Sequence, residues 1–246
     1  MQGIASGIQA ETVEHLDLTP PAAETCLWPE LHDELVLMGA PVYGGSIPVE
    51  AARRLRRLTG HDTPAVVVAV YGNRAYENAL LLLKELAAER GFRLVAGGAF
   101  IGEHSLSNDD TPIAKGRPDT EDLQKALAFG RMIQSKLTGL RALDQMPPLH
   151  VPGHPPYEEW NKRWGITPAT QETLCTKCAG CARVCPTAAV TVGETVTTNQ
   201  GACLICCACV KNCPTGARVL DHPRIRQSRQ WLSAHCRERK EPEIYL

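Results

Sequence analysis

"LCTKCAGCARVCPTAAV", residues 174 to 190, spaces four cysteines at intervals of three, three and four positions and sets a proline directly after the last. The pattern returns as "ACLICCACVKNCPTGARV", residues 202 to 219, so Cys175, Cys178, Cys181 and Cys185 are repeated at Cys203, Cys206, Cys209 and Cys213. A C-x2-C-x2-C-x3-C-P run wraps a short loop around one side of a cubane cluster. Three of its thiolates converge there, and the fourth cysteine ligates the neighbouring cluster. The spacing therefore assigns Cys175, Cys178, Cys181 and the distant Cys213 to one [4Fe–4S] cluster, and Cys203, Cys206, Cys209 and Cys185 to a second. Pro186 and Pro214 fix φ and remove a donor where each loop must turn into a helical turn.

Between the runs, "VTVGETV" alternates apolar and polar residues about Gly193-Glu194, which predicts a hairpin with a two-residue turn. Small residues beside the ligands, Ala179, Gly180 and Ala208, would let backbone amides approach the sulfur atoms. Structural zinc would call for two C-x2-C pairs across a longer loop, rather than three ligands packed at one end of each run. Of eleven cysteines, Cys26, Cys207 and Cys236 lie outside the eight assigned. Cys207 adjoins Cys206, but only Cys206 keeps the spacing, so Cys207 is expected to be a small buried apolar neighbour. Dense, regularly spaced cysteine argues for metal rather than disulfides, and for the reducing cytoplasm.

The bulk numbers describe an ordinary globular chain. Its 246 residues include 22% charged and 43% hydrophobic, with a formal net charge of −1, so there is no basic excess to attract nucleic acid. The longest apolar runs, "PAVVVAV" and "ALLLL", fall well short of the ~20 residues of a spanning helix, so no membrane association is expected.

Upstream of the cysteines, "ELVLMGA" (34 to 40), "PAVVVAV" (64 to 70) and "RLVAGGAFI" (93 to 101) are nearly continuous apolar runs, as strands buried on both faces require. Amphipathic stretches lie between them. "VEAARRLRRL" carries Ala51, Leu55 and Leu58 at helical spacing, and "YENALLLLKELAAERG" ends on Gly91, where a C-terminal cap belongs. A last helix follows "RPDTEDL", with Asp119 as its N-cap. The alternation predicts an α/β fold with a parallel, doubly wound sheet. Ligands of such sheets bind beyond the carboxyl ends of the strands. The loops there are "APVYGGSIP", "YGNRAYENA" and "GEHSLSND"; they bring glycines for close approach and tyrosines to flank a flat ring. The candidate flavin-binding residues are Pro41, Tyr43, Gly44, Gly45, Tyr71, Gly72, Asn73 and Tyr76.

Residues 171 to 222 resemble a bacterial two-cluster [4Fe–4S] ferredoxin, and the three α/β loops resemble the ring-binding loops of flavodoxin-like domains. From about Glu11 through "WLSAHCRERKEPEIYL", the chain is similar to the flavodoxin–ferredoxin fusion proteins of anaerobic bacteria and archaea. The resemblance implies a flavodoxin-like domain over 1–144, a proline-rich linker over 145–170, a ferredoxin domain over 171–222 and a C-terminal tail over 223–246. It also implies redox-protein partners and FMN. The family's T-x-T-G-x-T phosphate loop, which follows a first strand, has no counterpart here. Met1 falls inside what reads as the end of a first helix, "GIASGIQ", followed by a second strand "TVEHLDL". No Lys or Arg precedes Arg53, while eight Asp or Glu do, so nothing replaces the cradle and tight FMN binding is not expected. In the flavodoxin order the absent strand is an interior one. Its loss would leave a row of backbone groups unpaired, which favours a natural start upstream.

Arg53, Arg54, Arg56 and Arg57 read as the solvated face of a helix, and His104 as a hydrogen-bonded loop residue. No G-x-G-x-x-G follows a strand, and no acid–base pair flanks the flavin loops. The expected role is a low-potential electron carrier. The alternatives are a flavin-dependent reductase and a ferredoxin with a cofactor-free docking domain.

Overall fold

The computed structural model describes residues 1–139, 143 and 146–246. The expected boundary between domain and linker, at 144/145, lies outside them. In chain order the elements are α1 (Gln2–Ile8), β1 (Glu30–Leu31), β2 (Val36–Pro41), α2 (Val49–Leu55), β3 (Thr59–Gly60), β4 (Thr63–Tyr71), α3 (Ala79–Glu89), β5 (Phe92–Ile101) and α4 (Thr120–Gly139). The cysteine-rich part follows as β6 (Ala169–Thr170), α5 (Gly180–Arg183), β7 (Val190–Val192), β8 (Val196–Thr198), α6 (Ala208–Lys211) and β9 (Arg218–Val219). The chain closes with α7 (Pro223–His235) and β10 (Glu243–Tyr245).

The main sheet has the order β10-β5-β4-β2. β2, β4 and β5 are parallel, as their continuous apolar runs predict, whereas β10 joins β5 antiparallel, pairing Tyr245 with Gly97 and Glu243 with Ala99. The expected tail therefore supplies a helix and one of the sheet's two edge strands. β4 feeds two cores by strand alternation: Ala65, Val67 and Ala69 face one way with Ala52, Leu55, Leu80 and Leu83 of α2 and α3. Val66 and Val68 face the other with Ile4, Ile8, Phe129 and Ile133 of α1 and α4. At the α1–α4 crossing a Cβ added to Gly7 would stand 2.1 Å from the Leu127 carbonyl oxygen, and one on Gly130 the same distance from that of Ile4. Only glycine lets these helices meet so closely. α4 opens on a reciprocal cap: Asp122 N–H donates to Asp119 Oδ1 at 3.0 Å, and Asp119 N–H donates to Asp122 Oδ2 at 2.9 Å.

Two expectations are corrected here. Residues 12–18 form no strand. Their nearest sheet neighbour would be β2, but residues 10–19 are held off its outer edge by a cavity of about 790 Å³. A strand cannot form without a ladder to join. The β7–β8 hairpin pairs Val192 with Val196, so its turn has three residues, 193 to 195, closed by Gly193 N–H to the Thr195 carbonyl at 3.1 Å.

The expected linker is docked on the sheet domain. Trp160 N–H donates to the Ile47 carbonyl at 2.8 Å, Val49 N–H to the Trp160 carbonyl at 3.1 Å, and Ser46 Oγ to the Glu158 carbonyl at 2.6 Å. No helix among the described residues is long and apolar enough to cross a membrane.

Candidate metal centre

The two cysteine runs repeat in backbone as well as in spacing. Lys177 and Ala179 in the first and Ile205 and Cys207 in the second all hold positive φ, between 53° and 59°. Each loop then enters a single helical turn, α5 or α6. Left-handed residues aim successive N–H groups into the bend, and such bends make favourable surroundings for anions.

Cys185, from the first run, lines one small cavity together with Cys203, Cys206, Cys207 and Cys209 from the second. Cys185 and Cys209 are buried against Ala189, Val190 and Val196, with Cys203 packed beside them. The last cysteine of the first run thus lies beside the cysteines of the second. Cys175 and Cys181 pack on the same small core, and Cys178 is exposed; these three and Cys213 stand outside the cavity. Among the described residues, no group of three or more His, Cys, Asp or Glu is placed to hold a single metal ion.

Cys207 is only 2% exposed and belongs to a different core, with Ile166, Leu220 and Ile225. It takes the backbone position of Ala179 in the other run. Burial, followed by the charge of Cys206, pushes its thiol up to about 12. Burial pushes Cys206 up to about 11 against the pull of the Ala208 N–H, and raises Cys203 and Cys209 as well. Cys213 goes the other way. Burial raises it, but hydrogen bonds from the backbone N–H groups of Arg218 and Thr215 outweigh this and hold it below the ordinary thiol range. Cys185 Sγ accepts from Ala189 N–H at 3.2 Å.

One residue of this site escaped sequence reasoning. Arg218, on β9, is 3% exposed. Its Nη1 donates to Thr170 Oγ1 at 2.7 Å, and its Nη2 to Thr198 Oγ1 at 2.8 Å and to Cys209 Sγ at 3.8 Å. Its Nε is buried without a partner. The available signal was a charged residue inside the apolar "GARVL", where a short strand must bury what it carries. Thiols bordering one cavity, an amide donating to Cys185 Sγ and a guanidinium beside Cys209 Sγ form a donor set suited to a thiolate-held anionic group.

The flavin candidates are not assembled into a ring site. Tyr71 and Tyr76 are buried with ring centroids 5.4 Å apart, and Tyr76 Oη meets Glu243 Oε2 at 2.6 Å and Tyr245 Oη at 2.8 Å. Burial pushes the Tyr71 phenol up to about 12. Asn73 Nδ2 donates to the carbonyls of Cys236 and Glu238 at 2.9 and 2.8 Å, so this residue anchors the chain's C-terminal segment. Gly72 lies under His104, and Gly45 against Glu77. Gly44, at φ +56°, packs so tightly under Trp160 that a Cβ would stand 2.4 Å from the indole, and Tyr43 lies 5.6 Å from the same ring. Pro41 and Tyr43 line the large cavity beside β2, which the other six do not. The chain's own Trp160 packs on Tyr43 and Gly44, and its C-terminal segment on Asn73 and Tyr76, so these residues as assembled do not fit FMN.

No family model matches the chain. No curated protein matches it either.

Proposed function

We propose that the chain is a low-potential electron carrier that holds two [4Fe–4S] clusters on Cys175, Cys178, Cys181 and Cys213, and on Cys203, Cys206, Cys209 and Cys185. The observation that carries this reading is the meeting of Cys185 with Cys203, Cys206 and Cys209 at one cavity, across two runs. A two-cluster ferredoxin needs that exchange of the fourth ligand. Thiolates of a cubane each bind their own iron, so they surround a core rather than converge on one ion. When bound, such clusters supply one-electron transfer at low potential. The protein contributes ligation, amide donors and exclusion of water.

The α/β domain is best read as the cofactor-free docking domain of a flavodoxin–ferredoxin fusion; the packing of Trp160 on Tyr43 and of the C-terminal segment on Asn73 and Tyr76 supports this reading. Redox proteins of the reducing cytoplasm are the partners this reading implies. Anaerobically prepared protein should contain about eight irons and eight acid-labile sulfides per chain, with interacting EPR signals on reduction. Four irons, or stoichiometric zinc, would overturn the assignment.

A further inference from the structure

We infer that Arg218 is the residue that makes the two clusters unequal, by placing a buried positive charge beside the second one. The inference rests on the two-cluster reading above. Arg218 is 3% exposed, and among the described residues no carboxylate lies within ion-pair distance of it. Two neutral hydroxyls, of Thr170 and Thr198, hold its fork in place. A buried cation without an anion is costly, and the chain supplies only sulfur to offset it. Nη2 points at Cys209 Sγ, and Nε is left with no acceptor from the chain.

In the first run the equivalent position is Val190, and Arg183 of that run donates to the Cys178 carbonyl at 2.8 Å in an exposed position. Adding one electron to either cluster adds one negative charge, with no bond made or broken. A fixed cation in a low-dielectric pocket favours that added charge at the cluster it faces. Arg218 therefore sets the second cluster at the higher potential. Electrons entering at the more exposed first cluster come to rest beside Cys206 and Tyr43, which line the large cavity along β2.

The test is an EPR-monitored redox titration of the full chain, prepared anaerobically and reduced with dithionite. In Arg218→Met the reduced-to-oxidised ratio of one cluster at fixed potential should fall about tenfold, which is 59 mV for one electron, while the other cluster stays put. Should that variant fail to load iron, Arg218→Lys keeps the charge but not the fork and should shift the same cluster, in the same direction, by less. Unchanged potentials in the loaded variants, or equal shifts of both clusters, would overturn the inference. A wild-type chain without about eight irons would overturn the two-cluster reading instead.

Discussion

Arg54 of α2 reaches across to the cysteine-rich part of the chain and donates from Nη2 to the carbonyl oxygen of Pro186 at 2.6 Å. Its other donors are also engaged, on the carbonyls of Leu18 and Thr19 and on Glu24, and it is 2% exposed. The expectation of a solvated arginine face is thus corrected at this residue: Arg54 is a buried clamp. Its neighbours are also used within the chain, Arg53 on Glu24, Arg56 on Glu159 and Arg57 on the Cys26 carbonyl. Arg54→Met should cost about 3 kcal/mol, because it strands three carbonyls and a carboxylate. Arg53→Met, at an exposed pair with the same carboxylate, should cost less than about 1 kcal/mol. Denaturant midpoints of the two variants check the contrast, and equal losses would remove the clamp from the account.

The adjacent thiols should separate cleanly. Cys206→Ala removes a residue lining the thiol cavity and should lose or degrade one cluster. Cys207→Ala puts alanine where the other run already has Ala179 in the same left-handed conformation, so iron content should not change. Iron and sulfide assays decide, with spectroscopy to detect Cys207 substituting as a ligand in the first variant. A loss of iron confined to Cys207→Ala would reverse the assignment.

Flavin binding should be weak and indifferent to phosphate. Five carboxylates, Glu11, Glu14, Asp17, Glu34 and Glu50, line the cavity beside β2, and Arg54, the one arginine lining it, is already committed. FMN and riboflavin should therefore differ by less than about tenfold in a fluorescence titration, where a helix N-terminus with free amides would favour the dianion. A strong preference for FMN would mean that some other group holds phosphate.

His104 gives a pH signature. Burial, followed by the charges of Arg74 and Lys211, lowers its pKa to about 4, and its Nδ1 accepts from Leu106 N–H at 3.0 Å, which fixes the neutral form. A histidine whose folded pKa lies below its unfolded value of 6.5 stabilises the fold fully above pH 6.5. That contribution is lost as the pH falls toward 4. The His104→Asn variant should show a shallower loss of stability across this window in denaturant titrations. Identical slopes would show that His104 is not protonated differently on unfolding.

The outer strand can be probed through its hydroxyl network. Tyr76→Phe removes the partner of Glu243 and Tyr245 and should cost about 1 to 2 kcal/mol. Amide exchange at 243–245 should speed up in this variant. Unchanged exchange there would mean that the backbone ladder alone holds β10 to β5.

What the sequence disclosed follows from how local each signal is. β2, β4 and β5 were legible because strands buried on both faces must be continuously apolar, and the α4 cap because its residues are three apart. The nearness of Cys185 to the second cysteine run was legible because regular cysteine spacing is written directly into the chain. β10 was not: three residues, one of them Glu243, carry no period, and their partners on β5 lie far back in the sequence. Asn73 and Tyr76 were read as ligand residues because the loops at the carboxyl ends of strands are where ligands bind. Their actual partners, Cys236, Glu238, Glu243 and Tyr245, come from a segment that residue types alone did not place. Arg54 and Arg218 misled or escaped for the same reason, since a buried arginine is licensed by carbonyls, hydroxyls and sulfur that only the folded chain assembles.

The outer edge of β2 borders a cavity that the chain's own N-terminal segment also lines. A row of unpaired amides above an apolar wall is a template to which further chains adhere, and proteins normally blunt such edges. Here residues 10–19, with Glu11, Glu14 and Asp17 among them, line the cavity that borders β2, so the edge is screened by the chain's own acidic segment.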